Sequence, residues 1–134
     1  MDATNYEAER SVALGVLQDY AEGAWDKMRA RLAPHFVWVH HPTPSYPEGL
    51  VGDAAALIEM YVPRKGGAFQ MVEQEIEDVI GGPGVAVIRV VNRFRFGDRD
   101  GPLQEVRGAL FFSIAGGSVE RLETYYSAPA AVRS

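Results

Sequence analysis

The sequence has no cysteine among its 134 residues. Disulfide staples, thiolate metal sites and cysteine nucleophiles are therefore excluded. Long hydrophobic runs are missing too. The longest stretch free of charged residues and of histidine, Gly108 to Val119, falls well short of the roughly 20 residues that a membrane-spanning helix needs. Positive charge is in the minority, with 13 Lys and Arg against 18 Asp and Glu and a net charge of -5. That balance argues against a dedicated nucleic-acid binder. Histidine is scarce as well: His35, His40 and His41 are the only three. No His/Asp/Glu spacing resembles a metal site, so no metal is expected. The opening stretch carries Asp2, Glu7 and Glu9 without a long apolar segment. No signal peptide is expected, and a cytoplasmic location is the default. What remains is a composition of 47% hydrophobic and 23% charged residues. This is the make-up of an ordinary globular domain. One domain over residues 1–134 is expected, with a core over about residues 5–127 and a short mobile tail after Pro129.

The pattern of elements is α+β. Thr4-Asn5-Tyr6-Glu7 has capping-box spacing and predicts a helix from near Asn5. Tyr6, Ala13, Val16, Leu17 and Tyr20 give that helix an apolar stripe, and Gly23 stops it. A second short helix is expected over Ala24–Leu32, ended by Ala33-Pro34. Phe36 to His41 reads as a strand, and Pro42, Pro44 and Pro47 impose a loop. Asp53 can cap a third helix over Ala54–Tyr61, stopped by Pro63. Three long strands and a shorter one follow, over Phe69–Ile80, Val85–Phe96, Leu103–Ile114 and Val119–Tyr126. Gly81 to Gly84, Gly97 to Pro102 and Gly116-Gly117 are the turns between them. Three helices in the concave face of a strongly curved mixed or antiparallel sheet would form a cone, and a cone tends to enclose a pocket.

Strand parity separates two faces. Ala86, Ile88, Val90, Asn92, Phe94 and Phe96 form one set, nearly all apolar, suited to the helices. Val106, Gly108, Leu110 and Phe112 join it, as do Leu122, Thr124 and Tyr126. Phe36, Trp38 and His40 share one face of the first strand, although parity alone does not orient that strand. The outer set mixes arginines and glutamates with Val87, Val91, Ala109, Phe111 and Tyr125. An outer face that apolar suggests an interface, and a homodimer through it is expected; a C-terminal segment folded over it is the alternative.

In element order the chain resembles the nuclear-transport-factor-two-like superfamily, in its SnoaL-like branch of polyketide cyclases and small-molecule isomerases and hydrolases. The likeness spans about residues 5 to 127. It rests on Asp19-Tyr20-Ala21-Glu22-Gly23-Ala24-Trp25-Asp26, on Leu32-Ala33-Pro34-His35-Phe36-Val37-Trp38, and on Gly117-Ser118-Val119 through Tyr125-Tyr126. The layout is also similar to limonene epoxide hydrolase, with Trp38 on its pocket tyrosine and His40 on its asparagine. The positions matching that enzyme's Asp-Arg-Asp triad are Thr124, Val90 and Asn92, so all three ionisable groups are missing. SnoaL-type cyclases are cofactor-free and use a pocket aspartate, and none falls on the inner late strands here. Scytalone dehydratase is a more distant likeness, with Tyr20 near one of its tyrosines and Ala21 in place of the following acid. The resemblance implies a cone-shaped α+β barrel, no cofactor, and a small hydrophobic substrate in natural-product chemistry.

Three residues are the catalytic candidates. His40 can serve as acid or base near neutrality. Asn92 is polar on an apolar face, so it needs a partner or a ligand, and a positioned amide can stabilise a developing oxyanion. Tyr126 can donate to a carbonyl oxygen. Trp38, Tyr20, Met28, Tyr61, Val90, Phe94, Leu110, Leu122 and Thr124 are the candidates for substrate contact, with Gln70 and Gln74 as further polar groups. Asp19 and Glu22 read as solvated, and His35 as a surface residue. Cyclase, isomerase or dehydratase chemistry is expected, with a non-catalytic ligand-binding or accessory protein as the alternative and epoxide hydrolysis ranked below both.

Overall fold

The computed structural model describes residues 6–44, 46–59, 69–96, 102–128 and 130–132. Helix α1 (Glu7–Glu22) is followed by α2 (Trp25–Ala30), β1 (Leu32–His40) and β2 (Leu50–Gly52). A third helix, α3, covers residues 54–59. Then come β3 (Phe69–Gly82), β4 (Val85–Phe96), β5 (Leu103–Ala115), β6 (Ser118–Tyr126) and the short β7 (Ala130–Ala131). The strands form one sheet in the order β2-β1-β6-β5-β4-β3, with β7 paired to β5. All pairings are antiparallel except β1 with β6, which is parallel. Ladder shifts in β1, at two places in β3 and at the start of β6 add local twist and let the sheet curl without closing.

Several sequence expectations are corrected. Helix α1 begins at Glu7, not Asn5, and Tyr6 enters it in a left-handed conformation with no side-chain cap; Thr4 and Asn5 lie outside the described residues. Helix α2 ends at Ala30, and Ala33-Pro34 belongs to β1. A proline lacks the N–H that a ladder needs, and Pro34 sits where the β1–β6 register shifts between Leu32 and Val37. Gly81 and Gly82 are still strand, so the turn is Pro83-Gly84. The strand β2 was hidden in the proline-rich loop. Gly23 ends α1 with φ 70 as expected, and Asp53 Oδ1 accepts the Ala56 N–H at 3.0 Å, capping α3. Tyr61, Pro63, the Arg64–Gly67 loop and residues 97–101 lie outside the described residues.

The parity of the late strands holds. Ala86, Ile88, Val90, Phe94, Leu110, Phe112 and Leu122 are buried together with Val16, Leu17, Met28, Phe36 and Trp38. Helix α1 crosses the end of this inner face that carries the turns. Its first residues meet β3, because a Cβ on Gly81 would touch Tyr6 and Arg10. Its middle meets Arg31, whose guanidinium lies against Gly15. Arg31 in turn accepts the Val119 N–H at 2.9 Å through its carbonyl. Arg31 also donates from Nε to Asp19 Oδ2 at 2.8 Å. Asp19 is therefore buried and paired, which corrects its reading as solvated. His35 is on the surface, beside Glu120.

On the outer face Phe111 and Tyr125 are 39% and 41% exposed. Val91 is the exception, fully buried between Glu75 and Arg107 on the neighbouring strands. Beside it Arg93 binds Glu73, Glu75 and Glu105, and these long side chains cover the valine. The C-terminal segment does not fold over this face. It runs beside β5, with Ser127 N–H on Arg107 O and Val132 N–H on Leu103 O. No helix among the described residues is long and apolar enough to cross a membrane.

Candidate functional site

The half of the concave face away from α1 holds the polar groups. Its centre is set by the parallel pairing of β1 with β6, which makes His40 and Thr124 direct ladder partners and sets Trp38 beside Leu122. All three side chains point inward, and Trp38, His40 and Thr124 are 3%, 5% and 4% exposed. His40 Nδ1 lies 2.8 Å from Thr124 Oγ1, and Trp38 Nε1 donates to the same oxygen at 3.3 Å. The imidazole is surrounded by rings: Trp38 at 5.7 Å, Tyr126 at 5.6 Å and Tyr46 edge-on at 5.5 Å.

Sequence reasoning does not single out Tyr46. It arrives through a tight turn, in which its N–H and carbonyl bond to Thr43 and Gly49. Gly49, at φ 71, then passes so close that a Cβ would meet the His40 carbonyl oxygen at 2.6 Å. Only glycine combines that backbone conformation with that approach. Gly108 is the second close approach. It pairs with Tyr126 across the ladder, and a Cβ there would lie 2.5 Å from the Tyr126 ring. The missing side chain is what lets Tyr126 lie flat over β5.

Asn92 is buried and belongs to a second polar group. Its Oδ1 accepts from Gln74 Nε2 at 2.9 Å. It lies on β4, across β5 and β6 from His40, in the row of Val106. The structure thus brings His40, Thr124, Trp38 and Tyr126 together and sets Asn92 apart with Gln74. Val90 and Phe94 are buried on the same strand as Asn92. Tyr20 packs its ring on Trp25 at 5.9 Å. Met28, Leu110 and Leu122 are members of the hydrophobic cluster. Tyr61 and the Gln70 side chain lie outside the described residues.

No group of His, Asp and Glu among the described residues could hold a metal ion. The inner positions of this face among the described residues, namely Trp38, Val90, Asn92, Phe94, Leu110, Leu122, Thr124 and Tyr126, carry no charge. The ionised groups of this part of the sheet are on the other side. There His41 stacks on Tyr125 at 3.9 Å and lies 3.0 Å from Glu123. The His41 hydrogen bond holds the Glu123 carboxyl below its ordinary range, with Arg121 adding to the effect and partial burial opposing it. An open groove of about 310 Å³ is lined by Glu77, Arg89, Arg107, Ala109 and Tyr125 of the outer set and by Val90, Gly108 and Tyr126 of the inner set. Through Tyr126, whose ring is 5.6 Å from that of His40, the groove borders the His40 cluster.

No protein-family model matches the chain, and no curated protein matches it. Solved structures do. A putative ketosteroid isomerase from Kribbella flavida superposes with a TM-score of 0.64 at 20% identity, covering 99% of this chain and 86% of that one. An NTF2-like protein from Burkholderia thailandensis gives a TM-score of 0.71 at 13% identity, over 88% and 89% of the two chains. An LEH-like epoxide hydrolase of M. tuberculosis gives 0.63 at 14% identity, over 91% and 84%. The fold of this chain is the NTF2-like fold, as the sequence resemblance implied.

Proposed function

We propose that the protein is a cofactor-free enzyme of the isomerase, cyclase or dehydratase kind, acting on a neutral hydrophobic molecule in the cone. One observation carries this reading: His40, buried among Trp38, Tyr46 and Tyr126 and hydrogen-bonded to Thr124, is the one titratable imidazole on a face that otherwise offers apolar walls and uncharged polar groups. His40 hydrogen-bonds the reacting group or exchanges a proton with it. Tyr126 holds a carbonyl or hydroxyl oxygen beside His40, Asn92 meets a second polar atom farther along the face, and Trp38 and Phe94 shape the substrate. The absence of charge on the inner positions favours an uncharged substrate, because burying an unpaired ion there would cost several kcal/mol. A polyketide-like intermediate has the right character, and the isomerase described among the similar structures supports the reaction class. A cytoplasmic location agrees with the cysteine-free composition.

A second reading is a ligand-binding or accessory protein of the same fold. The lack of a carboxylate at the inner strand positions among the described residues favours it. Incubation with a metabolite extract of the host, followed by native mass spectrometry and analysis of the small molecules, separates the two. The enzyme reading predicts an apolar metabolite consumed with formation of an isomer or a dehydrated product. A metabolite bound and returned unchanged supports the second reading and overturns the first. Both readings include a homodimer through the outer face.

A further inference from the structure

The hydrogen-bond chain behind His40 runs in one direction, and that fixes which nitrogen carries the proton. An indole Nε1–H can only donate. Trp38 therefore occupies one lone pair of the Thr124 oxygen, at 3.3 Å. The hydroxyl proton of Thr124 must then go elsewhere, and Thr124 is 4% exposed. Its only other side-chain neighbour within hydrogen-bond distance among the described residues is His40 Nδ1, at 2.8 Å. Were Nδ1 protonated, that atom would donate to Oγ1, and the Thr124 proton would be buried without an acceptor. Leaving a buried donor unsatisfied costs about 1–3 kcal/mol.

We infer that Trp38 Nε1–H, Thr124 Oγ–H and His40 Nδ1 form a donor-to-acceptor relay that holds neutral His40 as its Nε2–H tautomer, with Thr124 as a positioning residue. This inference rests on the reading of the concave face as the reaction site, and it narrows that reading. Neutral His40 offers a hydrogen bond to an oxygen of the substrate. It polarises a carbonyl, hydroxyl or epoxide oxygen and does not itself take the carbon-bound proton. The substrate class is then a neutral molecule that meets His40 through an oxygen on which negative charge develops.

The relay is tested on the protein alone by imidazole ¹⁵N NMR at a pH where His40 is neutral. The expected spectrum shows proton-free Nδ1 and protonated Nε2. Thr124→Val keeps the shape and removes the hydroxyl, and it should move the Nδ1 resonance toward that of an imine nitrogen with no hydrogen bond. Thr124→Ser should restore the wild-type position, which a merely structural role would not require. A proton on Nδ1 in the wild type, or an Nδ1 resonance unmoved in a folded Thr124→Val, overturns the inference. If Thr124→Val does not fold, the Ser variant and the wild-type spectrum still decide it, because a Ser variant with Nδ1 protonated also contradicts the relay. Failure of the enzyme reading shows separately, as absence of turnover with the tautomer intact.

Discussion

At the scale of single residues, the concave face turns on two small ones. Gly108 leaves room for the Tyr126 ring, so Gly108→Ala should push Tyr126 from His40. Overpacking of this kind costs about 1–3 kcal/mol, and urea unfolding of the variant should show a loss in that range. The same variant should lose turnover in proportion to the displacement of Tyr126. Thr124 is the other. Its position was legible in the sequence as an inner strand residue, and so was that of His40. Their pairing was not, because it depends on the parallel register of β1 with β6, and parity says nothing about which strands lie side by side. Asn92 was expected to need a partner, and Gln74 supplies it. Tyr46 was out of reach: it comes from the proline-rich loop, where no period exists to read.

At the scale of elements, the long strands were legible because each carries an apolar set on one side. Val85–Phe96 matches its predicted limits. The strand β3 alternated only loosely in the sequence, and its two ladder shifts explain this. Each shift passes one residue without a partner and swaps the faces beyond it. Ile80 therefore lies in the row of Val87, on the outside, and is 51% exposed. The parallel pair β1–β6 also carries ion pairs on its outer side. The carboxyl of Glu123 has a folded pKa below its unfolded one, chiefly through His41. Its contribution to stability is therefore complete above the ordinary carboxylate range and is lost as pH falls through the lowered value. Glu123→Gln should lose less stability than the wild type between about pH 6 and pH 3, a difference that urea midpoints at each pH would reveal. Between the helices and the sheet, Arg31 holds Asp19. Arg31→Met should leave a buried carboxylate unpaired and lower stability by about 1–3 kcal/mol, whereas Asp19→Asn with Arg31→Met together should recover part of that loss.

At the scale of the whole molecule, the sheet has a neutral concave side and a charged convex side. Phe111, Tyr125 and Ile80 are exposed on the convex side, next to half-buried Val87. Val91 does not contribute, being covered by its own chain. A second copy is the expected occupant, and sedimentation should give the mass of a dimer. Phe111→Glu should give a monomer; a wild-type monomer would contradict the interface. Apart from the short β2 and β7, the order of elements and the curl of the sheet were legible from the sequence because the long elements were strongly patterned. The reaction was not, because this fold positions a pocket and leaves its chemistry to a few side chains.

The central claim is that His40 acts on the substrate from the concave face. The most direct test is the conversion rate of the apolar metabolite consumed by the wild-type protein, compared with His40→Asn at equal folded concentration. A loss of roughly 100-fold or more in kcat, the scale of one acid–base or hydrogen-bonding group, is the result predicted. Equal rates in the two proteins would remove His40 from the mechanism and contradict the account.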